Sequence, residues 1–287
     1  MIDAIDGHQH FWDPGRVPLP WLKREHDAIA RPFEPDDLAP QLAAANVMAT
    51  ILVQSACSDE DTALMFEHAR RHEWIAGVVA WLPLRDPDRA AARLDALSAE
   101  PKLRGIRHLI HDEADPHWIL APPVLESLAL VEAAGLVLEL PAVFPRHLED
   151  VPELAARFPA LTIVIDHLGK PPLGRGELTM WSEQLTQAAG FRNVAAKISG
   201  LNTVVDHAHW SASDLTPAIE TAVEAFGAER LLCGSDWPVS LLNGGEYARV
   251  WDETRAALEV VAPDHSDKLL AGNAQRIYTL DSRYGPN

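Results

Sequence analysis

Cysteine is scarce in this chain: Cys57 and Cys233 stand far apart and have no companions. Two distant thiols exclude a disulfide scaffold and a cysteine-rich zinc site. Basic residues are also short, 24 Lys and Arg against 42 Asp and Glu, for a formal net charge of -18. So acidic a chain lacks the cationic footprint that nucleic-acid binding needs. It still allows an anionic small molecule, because a few converging arginines override the overall field. No apolar run approaches the length of a membrane span. Nor does the amino terminus carry a basic stretch followed by an apolar core, as a secretion signal would. The expectation is a cytoplasmic protein with neither membrane nor nucleic acid as partner.

What is present reads as globular: 287 residues, 47% hydrophobic and 23% charged, enough for one large domain or two ordinary ones. Eight short apolar segments recur, at 2–10, 49–54, 75–81, 105–109, 136–140, 162–167, 194–199 and 231–236. Several are nearly continuous apolar runs, as parallel strands covered on both faces require. Helical patterns lie between most of them. Asp86-Pro87-Asp88 supplies an N-cap, a proline at the first helical position and an acidic first turn for a helix through 90–97. A second, 122–134, is stopped by Gly135, and a third, 215–226, by Gly227. Others are read near 61–72, 149–158, 181–189 and 246–258.

Eight strands alternating with helices predict an α/β protein, a (β/α)8 TIM barrel, as a single domain over residues 1–287. An open doubly wound sheet is the competing architecture. Against it, no glycine-rich phosphate loop follows the first strand, and polar residues collect at the ends of many different strands. The first connection, about 11–46, is long and carries Pro14, Pro18, Pro20, Pro32 and Pro35, which predicts a functional loop or lid.

In such a barrel the carboxyl ends of the strands meet at one mouth. The first strand brings His8 and His10, two residues apart and so on one side. The fourth brings Arg107 and His108, and the fifth Glu139, for which strand alternation allows either face. The sixth ends in Asp166 and His167, the seventh brings Lys197 and Ser199, and the eighth ends in Asp236. Singly each has an ordinary structural use, as a core histidine, a helix cap or a structural ion pair. Three histidines and an aspartate at the first, sixth and eighth strand ends are hard to explain by packing. Trp12, Trp81, Trp118 and Trp237 also fall at or just after strand ends, where an indole face suits the C–H face of a sugar ring. Trp74 and Trp251 read as core.

The ordered set Asp6-Gly7-His8-Gln9-His10-Phe11-Trp12, Gly105-Ile106-Arg107-His108, Asp166-His167-Leu168-Gly169-Lys170-Pro171, Gly234-Ser235-Asp236-Trp237-Pro238 and Gly272-Asn273-Ala274-Gln275-Arg276-Ile277-Tyr278 resembles the amidohydrolase superfamily. The likeness runs over nearly the whole chain and is to the amidohydrolase-2 branch, with its sugar lactonases and pyrone-dicarboxylate lactonases. Within that branch it is most similar to hydrolases of L-fuconolactone and L-rhamnonolactone. The resemblance implies a metal set of His8, His10, His167 and Asp236. The chain departs from the binuclear pattern, having no lysine at the fourth strand and only Glu139 as a substitute bridge. At most one divalent ion, such as Zn2+, is therefore implied, and since several lactonases of the branch work without metal, the resemblance leaves open whether this chain needs one.

The implied reaction is hydrolysis of a small sugar lactone to the sugar acid. Asp236, His167 and Arg107 are the expected catalytic residues, with Asp236 as general base. Trp12, Trp81, His108, Lys197 and Trp237 are expected to bind substrate. A metal-dependent decarboxylase or dicarboxylate lactonase of the same superfamily is the nearest alternative. A non-catalytic barrel that binds a sugar acid is an alternative of another class. A homo-oligomer is compatible with all of these.

Overall fold

Eight short strands run parallel and pair in chain order in the computed structural model, which describes residues 3–174, 176 and 178–284, with 24 and 25 by backbone alone. They are β1 (Ala4–Gln9), β2 (Val47–Val53), β3 (Ile75–Ala80), β4 (Leu103–Arg107), β5 (Val137–Leu140), β6 (Ile163–Ile165), β7 (Val194–Ile198) and β8 (Leu231–Cys233). Each lies within two residues of its predicted start, and Ile2, the predicted start of β1, is outside the described residues. The sheet curls back on itself. A parallel bridge joins Gln9 to Trp237, with His10 N donating to Trp237 O at 2.8 Å and Asp236 N to His8 O at 2.8 Å. This is the predicted (β/α)8 barrel.

That seam depends on two glycines. A Cβ on Gly7 would sit 2.8 Å from Cys233 O, and one on Gly234 would sit 2.7 Å from His8 N. Bare backbone on both sides lets β1 and β8 approach closely enough to pair. Asp6 clamps the same seam from β1, accepting from Ser235 N at 2.8 Å, Ser235 Oγ at 2.6 Å and Tyr247 Oη at 3.0 Å.

Helices follow the strands: α1 (Pro35–Ala44), α2 (Asp59–Arg71), α3 (Pro87–Leu97), α4 (Pro122–Ala133), α5 (Val151–Arg157), α6 (Thr179–Ala189), α7 (Ala212–Phe226), α8 (Tyr247–Val261) and a short α9 (Asn273–Ile277). Asp86 caps α3 as expected, accepting from Arg89 N. Gly135 and Gly227 take positive φ just beyond α4 and α7. The connection predicted as loop over 11–46 is shorter than expected, because α1 occupies its last third. Its start carries the usual signal, Pro35 at the first helical position and Asp36 and Asp37 in the first turn, but Pro40 interrupts the pattern.

Two apolar layers result. One, including Leu52, Leu128, Leu185 and Ile219, fills the space between strands and helices. The other, with Ile5, Ile51, Val79, Val164 and Leu232, fills the barrel interior and is closed below by Tyr278 after α9. Polar groups therefore sit at the upper, carboxyl end. Among the described residues no helix is long and apolar enough to cross a membrane.

Candidate active site

The strand ends open into a cavity of about 390 Å3, lined among others by His10, Trp12, Arg107, His167, Lys170 and Asp236. At its floor the two β1 imidazoles converge, His8 Nε2 lying 3.1 Å from His10 Nε2. Asp236 Oδ1 is 3.5 Å from His10 Nε2 and 3.7 Å from His8 Nε2, and Asp236 Oδ2 is 3.9 Å from His167 Nδ1. Both carriers of this group stand on left-handed backbone, His167 at φ 54° and Asp236 at φ 57°. Neighbouring Gly200 leaves them room: a Cβ there would lie 2.4 Å from Asp236 Oδ2 and 3.0 Å from His167 Nδ1.

The proton positions follow from the partners. His10 Nδ1 faces Val53 O at 2.8 Å, and a carbonyl only accepts, so Nδ1 donates and Nε2 offers a lone pair. His167 Nδ1 lies 2.9 Å from Ser199 Oγ and 3.2 Å from Ser199 O. Burial pushes the His167 imidazole down to about 4, so it is neutral at neutral pH. Burial alone would raise the Asp236 carboxyl, but His167, His10 and His8 outweigh it and hold the group well below the usual carboxylate range. Asp236 is thus an ionised carboxylate beside three imidazoles.

These donors fit a single divalent ion. His8, His10 and Asp236 each bring one ligand atom to a common point, with His167 beside them. The tautomer of His10 is fixed by Val53 O in the way a ligating imidazole is oriented from behind. Glu139, whose facing alternation left open, points into the barrel, accepting from Tyr278 Oη at 2.5 Å and meeting Lys197 Nζ at 2.6 Å.

Arg107 reaches the cavity wall with Nε on Asp166 Oδ2 at 2.7 Å and Nη1 on Gln54 O at 3.1 Å, which leaves Nη2 toward the cavity. Trp12 borders the cavity by its ring, its Nε1 being used on Ile29 O and Arg31 O.

Four expected substrate contacts lie elsewhere. Trp237 is buried against Phe11 and Phe33, with ring centroids at 5.8 and 5.2 Å, because the seam turns its side chain behind the site. Lys197 is wholly buried beneath His8, held by Glu139, so it cannot touch a molecule in the cavity. His108 stacks on Trp118 at 4.1 Å and accepts from Trp81 Nε1 at 3.1 Å, while its Nε2 donates to Glu113 at 2.8 Å. His108 thus spends its ring nitrogens on Trp81 and Glu113, while Trp118 packs on it by its ring face.

The cavity also gathers residues that the motifs did not single out: Trp21, Lys23 and His26 from the proline-rich connection, His111 and Asp112 after β4, and Lys170 after β6. Lys170 was legible, standing inside the ordered motif and on left-handed backbone at φ 55°. The first three had only the length of their loop as a signal.

Comparison with known proteins gives a consistent result. The amidohydrolase family model matches residues 5–280. An L-fucono-1,5-lactonase of Burkholderia ambifaria is 38% identical, over 99% of this chain and 98% of its own length. One from Burkholderia multivorans is 36% identical, over 96% of each. The crystal structure of an amidohydrolase from Burkholderia multivorans with bound zinc superposes with a TM-score of 0.89 at 34% identity, covering 97% of this chain and all of that one.

Proposed function

The chain belongs to the amidohydrolase family, and from that premise we propose that it hydrolyses a sugar lactone of the L-fucono-1,5-lactone type to the sugar acid. The observation that carries this reading is the ionised Asp236 carboxylate, within 3.9 Å of three imidazoles at the floor of the cavity. Relatives named as L-fucono-1,5-lactonases, aligned end to end with it, supply the substrate class.

A lactone is an ester closed into a ring, and its hydrolysis needs a polarised carbonyl, an activated water and a proton for the ring oxygen. Asp236 takes a proton from water as the water oxygen bonds to the carbonyl carbon. Negative charge gathers on the carbonyl oxygen, where Arg107 Nη2 stabilises it. The ring C–O bond then breaks, and Asp236 returns its proton to the departing oxygen. A divalent ion held by His8, His10, His167 and Asp236 would add Lewis-acid polarisation of the carbonyl.

The decarboxylase alternative needs arginines free to clamp a carboxylate. Arg107 has Nε and Nη1 committed to Asp166 and Gln54, which favours the lactonase reading. A pH-indicator assay over a panel of sugar lactones, with and without chelator, tests it, with carbon dioxide measured in parallel. Acid release without carbon dioxide is expected. Asp236→Asn should fold and lose roughly a hundredfold to ten-thousandfold in kcat, the worth of a general base. Retention of most of kcat would remove Asp236 as base. A panel without any turnover would remove the lactonase reading itself.

A further inference from the structure

We propose that a second cavity, at the floor of the barrel, binds a phosphate group, either the free ion or one carried by a small phosphate ester. The cavity holds about 240 Å3. It lies at the amino ends of β5, β6 and β7, beside the end of α9, and shares no lining residue with the cavity at the mouth. Arg192, Arg230 and Arg276 line it, and no aspartate or glutamate does. The chain has 42 acidic residues against 24 basic ones, yet none of the acids is placed here. Like charges gathered in this way cost free energy until an anion joins them.

Two of the arginines are held in place without being neutralised. Arg230 Nη1 donates to Ala189 O at 2.9 Å, Phe191 O at 2.9 Å and Val194 O at 3.0 Å, and its guanidinium stands 5.2 Å over the Phe226 ring. Arg276 Nη2 donates to Glu229 O and to Asn273 Oδ1. These oxygens accept hydrogen bonds but bring no negative charge. Arg192 is exposed and, among the described residues, makes no hydrogen bond or ion pair. Glu229, whose carboxylate acts on Arg276 through space, is paired with Lys268. Burial and the Arg192 charge push the Arg230 guanidinium below its ordinary range, with no acid opposing them.

The donor set selects the ligand. A phosphate offers three or more oxygens and up to two charges to three guanidinium forks, where a carboxylate offers two oxygens and one charge. Thr162 and Thr279 add hydroxyls to the same lining, and among the described residues neither hydroxyl makes a hydrogen bond. Arg192 precedes β7, Arg230 precedes β8 and Arg276 belongs to α9, so one anion ties together three segments at the barrel floor. Nothing here involves the histidines at the mouth, and the inference stands or falls apart from the lactonase reading.

Isothermal titration calorimetry of the full chain tests it, with inorganic phosphate, glycerol 3-phosphate and acetate as separate titrants at an ionic strength fixed with sodium chloride. One saturable site with a Kd below about 1 mM is expected for at least one of the two phosphates. Tighter binding of the ester would support a phosphorylated small molecule as the ligand, and tighter binding of inorganic phosphate the free ion. Arg192→Gln, checked for folding by circular dichroism, should weaken that binding at least about tenfold, the worth of a hydrogen bond between charged groups. Lys170→Met, at the mouth, should leave it unchanged. No saturable binding of either phosphate by the wild-type protein would overturn the proposal. So would acetate binding as tightly as phosphate, binding that survives Arg192→Gln, or binding lost in Lys170→Met, which would place the anion at the mouth.

Discussion

His167, Leu168, Lys170 and Asp236 stand on backbone that glycine ordinarily occupies, with φ between 50° and 57°. Each non-glycine residue held there costs on the order of 1–3 kcal/mol, and such costs persist where the surrounding structure over-determines them. The two run-ends after β6 and β8 spend that strain on aiming His167, Lys170 and Asp236 into one cavity. Lys170 is the new member of this set, and its ammonium is suited to a sugar hydroxyl or the product carboxylate. Lys170→Met is expected to raise KM about tenfold, the loss of one hydrogen bond to a charged group, with kcat within about threefold of wild type. Steady-state kinetics on the lactone that the panel selects will measure this, and an unchanged KM would take Lys170 off the substrate. At this scale the chemistry was legible where residue type and strand position coincide, as at His10, Arg107, His167 and Asp236. It was not legible for Lys197, His108, Trp81 and Trp237, whose neighbours come from other strands and loops.

The elements were the most readable part of the chain, because their signals are local. The Asp86-Pro87-Asp88 start of α3 and the glycines after α4 and α7 act within one turn of backbone. The β1–β8 seam has no such signal. Gly7 and Gly234 are ordinary glycines in the sequence, and only closure of the barrel sets each against the other strand. Gly234→Ala would place a methyl 2.7 Å from His8 N and push β1 away from β8. A loss of roughly 1–3 kcal/mol in stability is expected, as for other overpacked sites, readable from the urea midpoint. Activity should fall further than stability, since His8, His10 and Asp236 all hang on that seam. An alanine variant with wild-type stability and activity would show that the seam has slack.

Across the whole molecule, buried neutral histidines set the response to acid. His68, packed against Phe11, and His167 are both pushed down to about 4 by burial, and His8 lies well below its ordinary range. In the unfolded chain these imidazoles titrate near 6.5. Between about 6.5 and 4 the unfolded state therefore binds more protons, and stability falls as pH falls through that window. Asp6 works the other way. Burial raises it to about 6, so the folded state holds its proton more tightly and stability from this group falls as pH rises from about 4 to 6. Burial also lowers His108, His111 and His147, and Asp166 and Asp236 are held below the usual carboxylate range, while Asp61, Asp112, Glu139 and Asp150 are raised like Asp6. The balance predicts a lower Tm at pH 5 than at pH 7.5. His68→Leu, far from the cavity, should make that drop shallower. A Tm that holds or rises on acidification would contradict the balance.

By itself the sequence determined the eight-fold alternation of strand and helix, the strand ends that carry His8, His10, Arg107, His167 and Asp236, and the acidic, cysteine-poor character of the chain. Those follow from period, caps and composition, which neighbours along the chain decide. The tertiary structure alone decided that Glu139 and Lys197 turn inward beneath the site, that Trp237 packs behind it, and that α1 fills the end of the first connection. The physical reason is that a one-residue shift in a strand turns every side chain to the opposite face. Facing is fixed only when the barrel closes and each strand meets its partners.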